Sequence, residues 1–346
     1  MHFKHSLRHK FEGYMVKVER SKIIDQLKGL MIFLVVFGHS IQYNVFEKKD
    51  MFWSNPVWKL IYTFHMPLFM AISGWLLFFS LKKLKTSTSK IKFGIKRSIS
   101  LMLPVVIWMT LYTLVNFVIN RDININQLFS NITNGLWFIW ALWGGLLILT
   151  IGSIFNKQLA ISILGFLIIL PFHNHGNVAL FLYVFPFFVI GYYFNSYQAH
   201  IYMKKYIKII IPVFILVSTA LLILWDKSTY IYVSRFSPTN SINISIRYIL
   251  GFTNSILFLY AFLYIIKFLP KKTQDYLDMI GSKTLSIYII SSFIIYLVQY
   301  PIFFDYIGYI YPLILSLIYI KLSVLINNTI TKSDKLSYLL LGKQLK

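Results

Sequence analysis

A histidine lies inside an apolar run: His39, near the end of Leu30-Met31-Ile32-Phe33-Leu34-Val35-Val36-Phe37-Gly38-His39-Ser40. A titratable ring in hydrocarbon is costly to bury, and it marks a functional position by default. A neutral imidazole can take a proton from a hydroxyl nucleophile near neutral pH, as a general base does. It can equally hydrogen-bond a neighbouring helix. Lys28 stands eleven residues earlier. At about 100° per residue that spacing returns to nearly the same helix face, roughly 16 Å along the axis. One line of one helix would then carry a cation and an imidazole. Asp25, three residues before Lys28, offers it a local ion pair. A lysine at a membrane edge can also snorkel to the headgroups.

The next apolar run holds a second polar set, Phe64-His65-Met66-Pro67-Leu68-Phe69-Met70-Ala71-Ile72-Ser73-Gly74-Trp75. His65 reads either as a wet interfacial histidine or as part of the site. Pro67 removes a backbone donor, so it kinks or starts a helix. Ser73-Gly74 permits close helix approach. His173 and His175, at i and i+2 with no carboxylate beside them, read as a solvated loop, and no metal site is expected. Asp226 and Asp305 read as interfacial residues at span ends. With no cysteine in the chain, disulfides, thiolate metal sites and a cysteine nucleophile are excluded.

The elements that must position these residues are helices in a bilayer. The 346 residues are 57% hydrophobic and 13% charged, with a mean hydropathy of +0.66. Soluble domains are nearer ~25% charged. The net charge of +23 could suggest nucleic acid, but the basic residues cluster in short loops between apolar runs. The expected partner is therefore the lipid bilayer, and no nucleic acid.

Apolar segments fall at 26–45, 60–80, 99–119, 135–155, 158–173, 178–195, 207–225, 247–268, 284–300 and 303–326. Each is near the ~20 residues that cross a bilayer as helix, and an open sheet would leave its backbone unpaired in lipid. The expected fold is all-α, a polytopic transmembrane helix bundle of about ten spans. Placing the N-terminus inside puts 27 of the 34 Lys and Arg on that side, as cytoplasmic loops require. Both termini are then cytoplasmic. Residues 1–22 form an N-terminal tail without a signal-peptide pattern, 23–330 one membrane domain, and 331–346 a C-terminal tail.

The ordered set of motifs resembles the membrane acyltransferase-3 family, most of all its fucose 4-O-acetylase-like branch. Lys28, ten residues and His39 match the family's first-span signature. Phe64-His65-Met66-Pro67-Leu68-Phe69 with Ser73-Gly74 fits its second span, Leu136-Trp137-Phe138 its fourth-span element, and Phe187-Phe188-Val189-Ile190-Gly191-Tyr192 its Phe-Phe-x-x-Gly-Tyr element. Gly281-Ser282-Lys283-Thr284-Leu285-Ser286-Ile287-Tyr288 is similar to the start of its penultimate span. The resemblance implies acyl transfer from acetyl-CoA to a hydroxyl of a cell-surface glycan or lipid-linked sugar, in a bacterial inner or plasma membrane. No cofactor is held; acetyl-CoA is the donor substrate. His39 would be base or acyl relay, and Lys28, three turns away, would be the second catalytic residue. Lys96 and Arg97 would grip the donor's phosphates, and His65, Ser73, Trp137 and Ser291 would shape the acceptor pocket. Two positions depart from the pattern. Ser291 stands where many relatives carry a histidine, which bears on substrate choice. Ser100 replaces the second of two arginines, leaving donor contacts to Lys96 and Arg97.

Two rival classes remain at the level of sequence: a transporter or flippase for a polymer or lipid-linked sugar, and a non-catalytic partner in polysaccharide export. A transporter for charged substrates should carry several intramembrane Asp, Glu, Lys or Arg. This chain has few, and its clearest mid-span titratable residue is His39.

Overall fold

The computed structural model describes residues 22–44, 52–120, 125–196, 199–231, 236, 238–298 and 309–343. Most of the basic tail, the loop cations Lys48, Lys49, Arg121 and Arg235, Pro301, Asp305 and residues 344–346 lie outside the described residues. Within them the regular structure is helical. The chain runs through α1 (Lys22–Asn44), α2 (Pro56–Lys82), α3 (Ser87–Asn120), α4 (Ile125–Asn134) and α5 (Trp137–Ile154). It continues through α6 (Gln158–Ile169), α7 (Val178–Ser196), α8 (Ala199–Leu224) and α9 (Ser241–Ile265). It closes with α10 (Lys271–Gly281), α11 (Thr284–Leu297), α12 (Ile310–Ile330) and α13 (Asp334–Leu341).

Among the described residues, each of the ten apolar segments coincides with a helix. Seven of these helices are long and apolar enough to cross a bilayer, or eight if α10 and α11, bent by 77° at their junction, count as one span. The remaining two, Gln158–Phe172 and Val178–Phe194, are shorter. The all-α polytopic bundle stands, with seven or eight helices meeting the strict length. The outer wall is greasy: on α8, Ile209, Leu216 and Ile223 are exposed, as lipid-facing side chains must be.

At the centre is α1, whose Met31, Ile32, Val35, Val36 and Ile41 are all buried. Two glycine contacts set its surroundings. A Cβ on Gly29 would strike the Leu277 carbonyl, and one on Gly281 the Asp25 carbonyl. So α10 lies backbone to backbone against the start of α1, before the chain bends into α11. In the same way a Cβ on Gly74 would strike the Phe188 carbonyl, and one on Gly191 the Ala71 carbonyl. Small residues let helices approach this closely without hydrophobic drive. The Ser73-Gly74 and Phe-Phe-x-x-Gly-Tyr motifs are therefore two sides of one contact, α2 on α7.

Helix α2 begins well before Pro67. Asn55 caps it by accepting from the Trp58 amide at 2.9 Å, with Pro56 in the first turn. Pro67 lies inside the helix, so the sequence alternative of a helix start there is wrong. The proline has no N–H for the Thr63 carbonyl. That carbonyl instead accepts from the Tyr183 hydroxyl of α7 at 3.3 Å.

Candidate active site

Lys28, Ile32 and Val35 follow one face of α1 and line a cavity of about 260 Å³. Across from them stand Met66, Phe69 and Ser73 of α2, Phe138 and Leu142 of α5, and Thr284 and Tyr288 of α11. The walls are mostly apolar, with polar groups concentrated at one end, as expected of a small-molecule site. At that end the Lys28 ammonium lies 2.6 Å from the Asp25 carboxylate, and its side chain is 18% exposed. Of the two local readings for Lys28, the ion pair is the one formed. The pair fixes the ammonium beside Gly281-Ser282, where α10 bends into α11.

The stripe i, i+4, i+7 that lines the cavity reaches His39 at i+11, one turn or ~6 Å beyond Val35. His39 is half-buried. Around it stands a compact polar and aromatic cluster. The Tyr62 ring of α2 lies over Gly38, where a Cβ would come within 2.8 Å of Tyr62 Cε2. Its hydroxyl donates to Gln42 Oε1 at 2.7 Å. The same ring is stacked on Trp58 at 4.0 Å between centroids and lies 4.6 Å from the ring of His65. His39 itself meets Tyr43 edge to face at 5.9 Å. Tyr62 thus touches both Gly38, next to His39 in the chain, and the ring of His65.

His65 is buried, so it is not a wet interfacial histidine. Its Nδ1 lies 2.7 Å from the Ile61 carbonyl oxygen. A carbonyl only accepts, so Nδ1 carries the proton and Nε2 is left as the acceptor. Helix α2 thus holds one imidazole in a fixed tautomer beside the imidazole of α1.

The other sequence-identified residues divide. Ser73 lines the cavity, and its hydroxyl donates to the Phe69 carbonyl at 2.8 Å. Ser291 is buried on α11 just beyond Tyr288, to whose carbonyl it donates at 3.3 Å. Trp137 is half-buried and stays off the lining, while its neighbour Phe138 is on it. The turn that delivers them is strained: Leu136, wholly buried, has φ 49° and ψ 40°, a left-handed conformation costing a non-glycine residue ~1–2 kcal/mol. Lys96 and Arg97 are exposed on α3 and do not line the cavity; Arg97 lies over the Phe93 ring at 5.7 Å.

Sequence reasoning passed over Tyr62, Gln42 and Tyr43. The signal was present, since Gln42 and Tyr43 are at i+3 and i+4 from His39 and Tyr62 is at i−3 from His65, the positions that share a helix face. Arg247, at the start of the segment 247–268, is one of the seven Lys and Arg that the charge split leaves on the outer side, and the structure buries it on α9.

Two relatives fit this picture. The chain is 32% identical over 227 residues to the nodulation protein NolL of Mesorhizobium japonicum, covering 62% of this chain and 58% of that protein. It is 31% identical over 189 residues to the nodulation protein NolL of Sinorhizobium fredii, covering 51% of this chain and 49% of that protein. The chain therefore spans about half the length of these curated relatives. No solved structure matches it. The family model described as an acyltransferase domain matches residues 21–327, taking in Lys28, His39, His65 and the whole cavity, and the chain belongs to the membrane acyltransferase-3 family.

Proposed function

We propose that this protein is an integral-membrane O-acetyltransferase that moves an acetyl group from cytoplasmic acetyl-CoA to a sugar hydroxyl of a cell-surface glycan or its lipid-linked precursor. The observation that carries the reading is the cavity on the Lys28–His39 face of α1, with Lys28 at one end of its α1 lining and Val35, one turn short of His39, at the other. A pantetheine arm is slender and extended, and ~16 Å of helix face is a comparable length. The thioester then reaches the histidines while the charged end of the donor stays at Lys28. Ammonium and guanidinium groups bind phosphate by charge-assisted hydrogen bonds. Lys28 would do so at the mouth, with Lys96 and Arg97 acting from the surface of α3.

In the transfer, the acceptor oxygen attacks the thioester carbonyl as His39 takes its proton. A carbon–oxygen bond forms, the carbon–sulfur bond breaks, and the proton passes to the leaving thiolate. In the alternative relay, the acetyl group rests on the His39 ring before the sugar oxygen takes it. His65, held in one tautomer, orients the Tyr62 wall and polarises the site. Family membership favours this enzyme over the transporter and the assembly partner. The bilayer would be a bacterial inner or plasma membrane.

The test uses membranes, radiolabelled acetyl-CoA and a glycan acceptor. His39→Ala, expressed at the wild-type level, should lose at least a hundredfold in label transfer, since base catalysis contributes ~10²–10⁴. Full transfer by that variant would overturn the proposal. Label on the wild-type protein that hydroxylamine or the sugar acceptor discharges, and that His39→Ala does not take up, would identify the relay.

A further inference from the structure

A second cavity lies on the far side of Tyr62. It is about 30 Å³ in volume and is lined by Tyr62, Thr63, Tyr183, Trp225, Tyr230 and Arg247, among others. Along α2 the larger cavity ends at Met66 and the smaller begins at Thr63, three residues or ~4.5 Å away. His65 lies between them in sequence, and Tyr62, which lines the small cavity, also touches Gly38 beside His39.

Arg247 is the charge in this cavity. It is 5% exposed, in the second turn of the span helix α9. A guanidinium this deep in a span is functional by default. Its Nε donates to the Thr229 carbonyl at 2.8 Å, and the guanidinium lies over the Tyr183 ring at 5.7 Å. The Thr229 carbonyl is itself held in place: Asp226 caps the turn Lys227–Thr229 by accepting from the Ser228 and Thr229 amides. Hydrogen bonds from Ser228 and then from those amides keep the Asp226 carboxyl below the usual carboxylate range. The arginine is thus aimed by a built structure. Aromatic rings pack round it, with Trp58 and Tyr230 at 5.1 Å and Trp53 and Tyr230 at 4.5 Å between centroids. Lys59 and Lys227 add positive charge at the rim, over the rings of Trp225 and Trp53.

We infer that this pocket is an acceptor subsite for a sugar that carries an anion, a carboxylate or a phosphate. The volume suits that part of the molecule. A water needs ~10–15 Å³ of such space, so 30 Å³ holds two oxygen-sized groups and no sugar ring. Planar guanidinium binds paired anionic oxygens in a two-pronged geometry. The sugar ring would stack on the aromatic rim, and its hydroxyl would point past Tyr62 toward His39. That the bound sugar is the acceptor rests on the acetyl-transfer reading; that the pocket binds an anionic sugar does not.

The test titrates the detergent-purified full chain with glucuronate, glucose 1-phosphate and glucose, each to 50 mM, reading tryptophan fluorescence from the surrounding rings. At least one charged sugar should quench saturably, identifying carboxylate or phosphate as the preferred anion, and glucose should not. Arg247→Gln should weaken that binding at least tenfold and Arg247→Lys less. On the wild-type protein the same charged sugar should raise the apparent melting temperature and glucose should not, which needs no variant to fold. An equal response to glucose, or no response to either charged sugar, would overturn the inference. Acetyl-CoA titration of the same preparation separates the two proposals. Charged-sugar binding without Lys28-dependent donor binding would sink the transfer reading and leave the pocket standing.

Discussion

Gly38→Ala is the sharpest probe of the catalytic cluster, because one added carbon meets one identified ring. The new Cβ would sit 2.8 Å from Tyr62 Cε2. Ordinary carbon contacts begin near ~3.5 Å, so the ring must retreat by ~0.7 Å. It has little room, being stacked on Trp58 at 4.0 Å and tied through its hydroxyl to Gln42 at 2.7 Å. Overpacking of this kind costs ~1–3 kcal/mol. Alanine for glycine inside a helix returns ~0.5–1 kcal/mol. The net loss in the wild-type background is then ~0–2.5 kcal/mol. With Tyr62→Ala already present the clash is gone, and Gly38→Ala should stabilise by ~0.5–1 kcal/mol. The difference, a coupling of ~1–3 kcal/mol, is read from apparent melting of the four detergent-purified proteins in a double-mutant cycle. Acetyl transfer should fall about a hundredfold in Gly38→Ala, since a displacement near ~1 Å at a reacting centre costs that much. A coupling within 0.3 kcal/mol of zero, the ordinary error of additivity, would refute the contact and the cluster built on it.

Three further outcomes are expected. Lys28→Ala should raise the KM for acetyl-CoA at least tenfold at any ionic strength, whereas Arg97→Ala, on an exposed guanidinium, should raise it only at low salt, because surface charges are screened within ~8–10 Å; equal salt dependence would remove Lys28 from the cavity mouth. Ser73→Leu places extra carbon in the 260 Å³ cavity and should weaken donor binding while leaving glucuronate quenching intact; loss of both would mean a general packing defect. Asn254 bridges Ser218 of α8 and Thr63 of α2, at 2.5 and 2.9 Å. Its replacement by alanine should cost ~1–2 kcal/mol of apparent stability, and an unchanged melting curve would show the bridge to be idle.

Much of this arrangement was legible in the sequence, for reasons that differ by residue. The ten apolar segments were readable because bilayer thickness fixes helix length. The Lys28–His39 line was readable because helical periodicity within one element needs no tertiary knowledge. Ser73-Gly74 announced a close approach, but its partner around Gly191 could not be named, since two helices meet there from 117 residues apart. His65 defeated local reasoning: its depth is set by a helix that starts at Pro56 and continues through Pro67, and a proline reads locally as a boundary. Arg247 was misplaced for a similar cause. A cation at the edge of an apolar run looks like a loop residue, and its burial depends on partners distant in sequence, the Thr229 carbonyl and the Tyr183 ring. Lys96 and Arg97 were singled out by family pattern, and their distance from the cavity is a property of how α3 packs.

Everything proposed about direction depends on which side of the membrane Lys28 faces, and the chain is well suited to settle that. It contains no cysteine, so a single introduced thiol is the sole target for a membrane-impermeant maleimide. Thr86 is exposed in the turn between α2 and α3, and Lys227 is exposed after α8. The first belongs to the cation-rich side with Lys28; the second borders the Arg247 cavity. Because Arg247 is buried, it drops out of the loop charges that set topology, and the excess of Lys and Arg on the Lys28 side becomes steeper. Lys227→Cys should therefore label on intact cells, and Thr86→Cys only after permeabilisation. The reverse pattern would open the Lys28 mouth away from the cytoplasm, where acetyl-CoA is absent. The donor reading would then fail, while the Arg247 pocket would face the compartment in which sugar nucleotides and lipid-linked precursors are made.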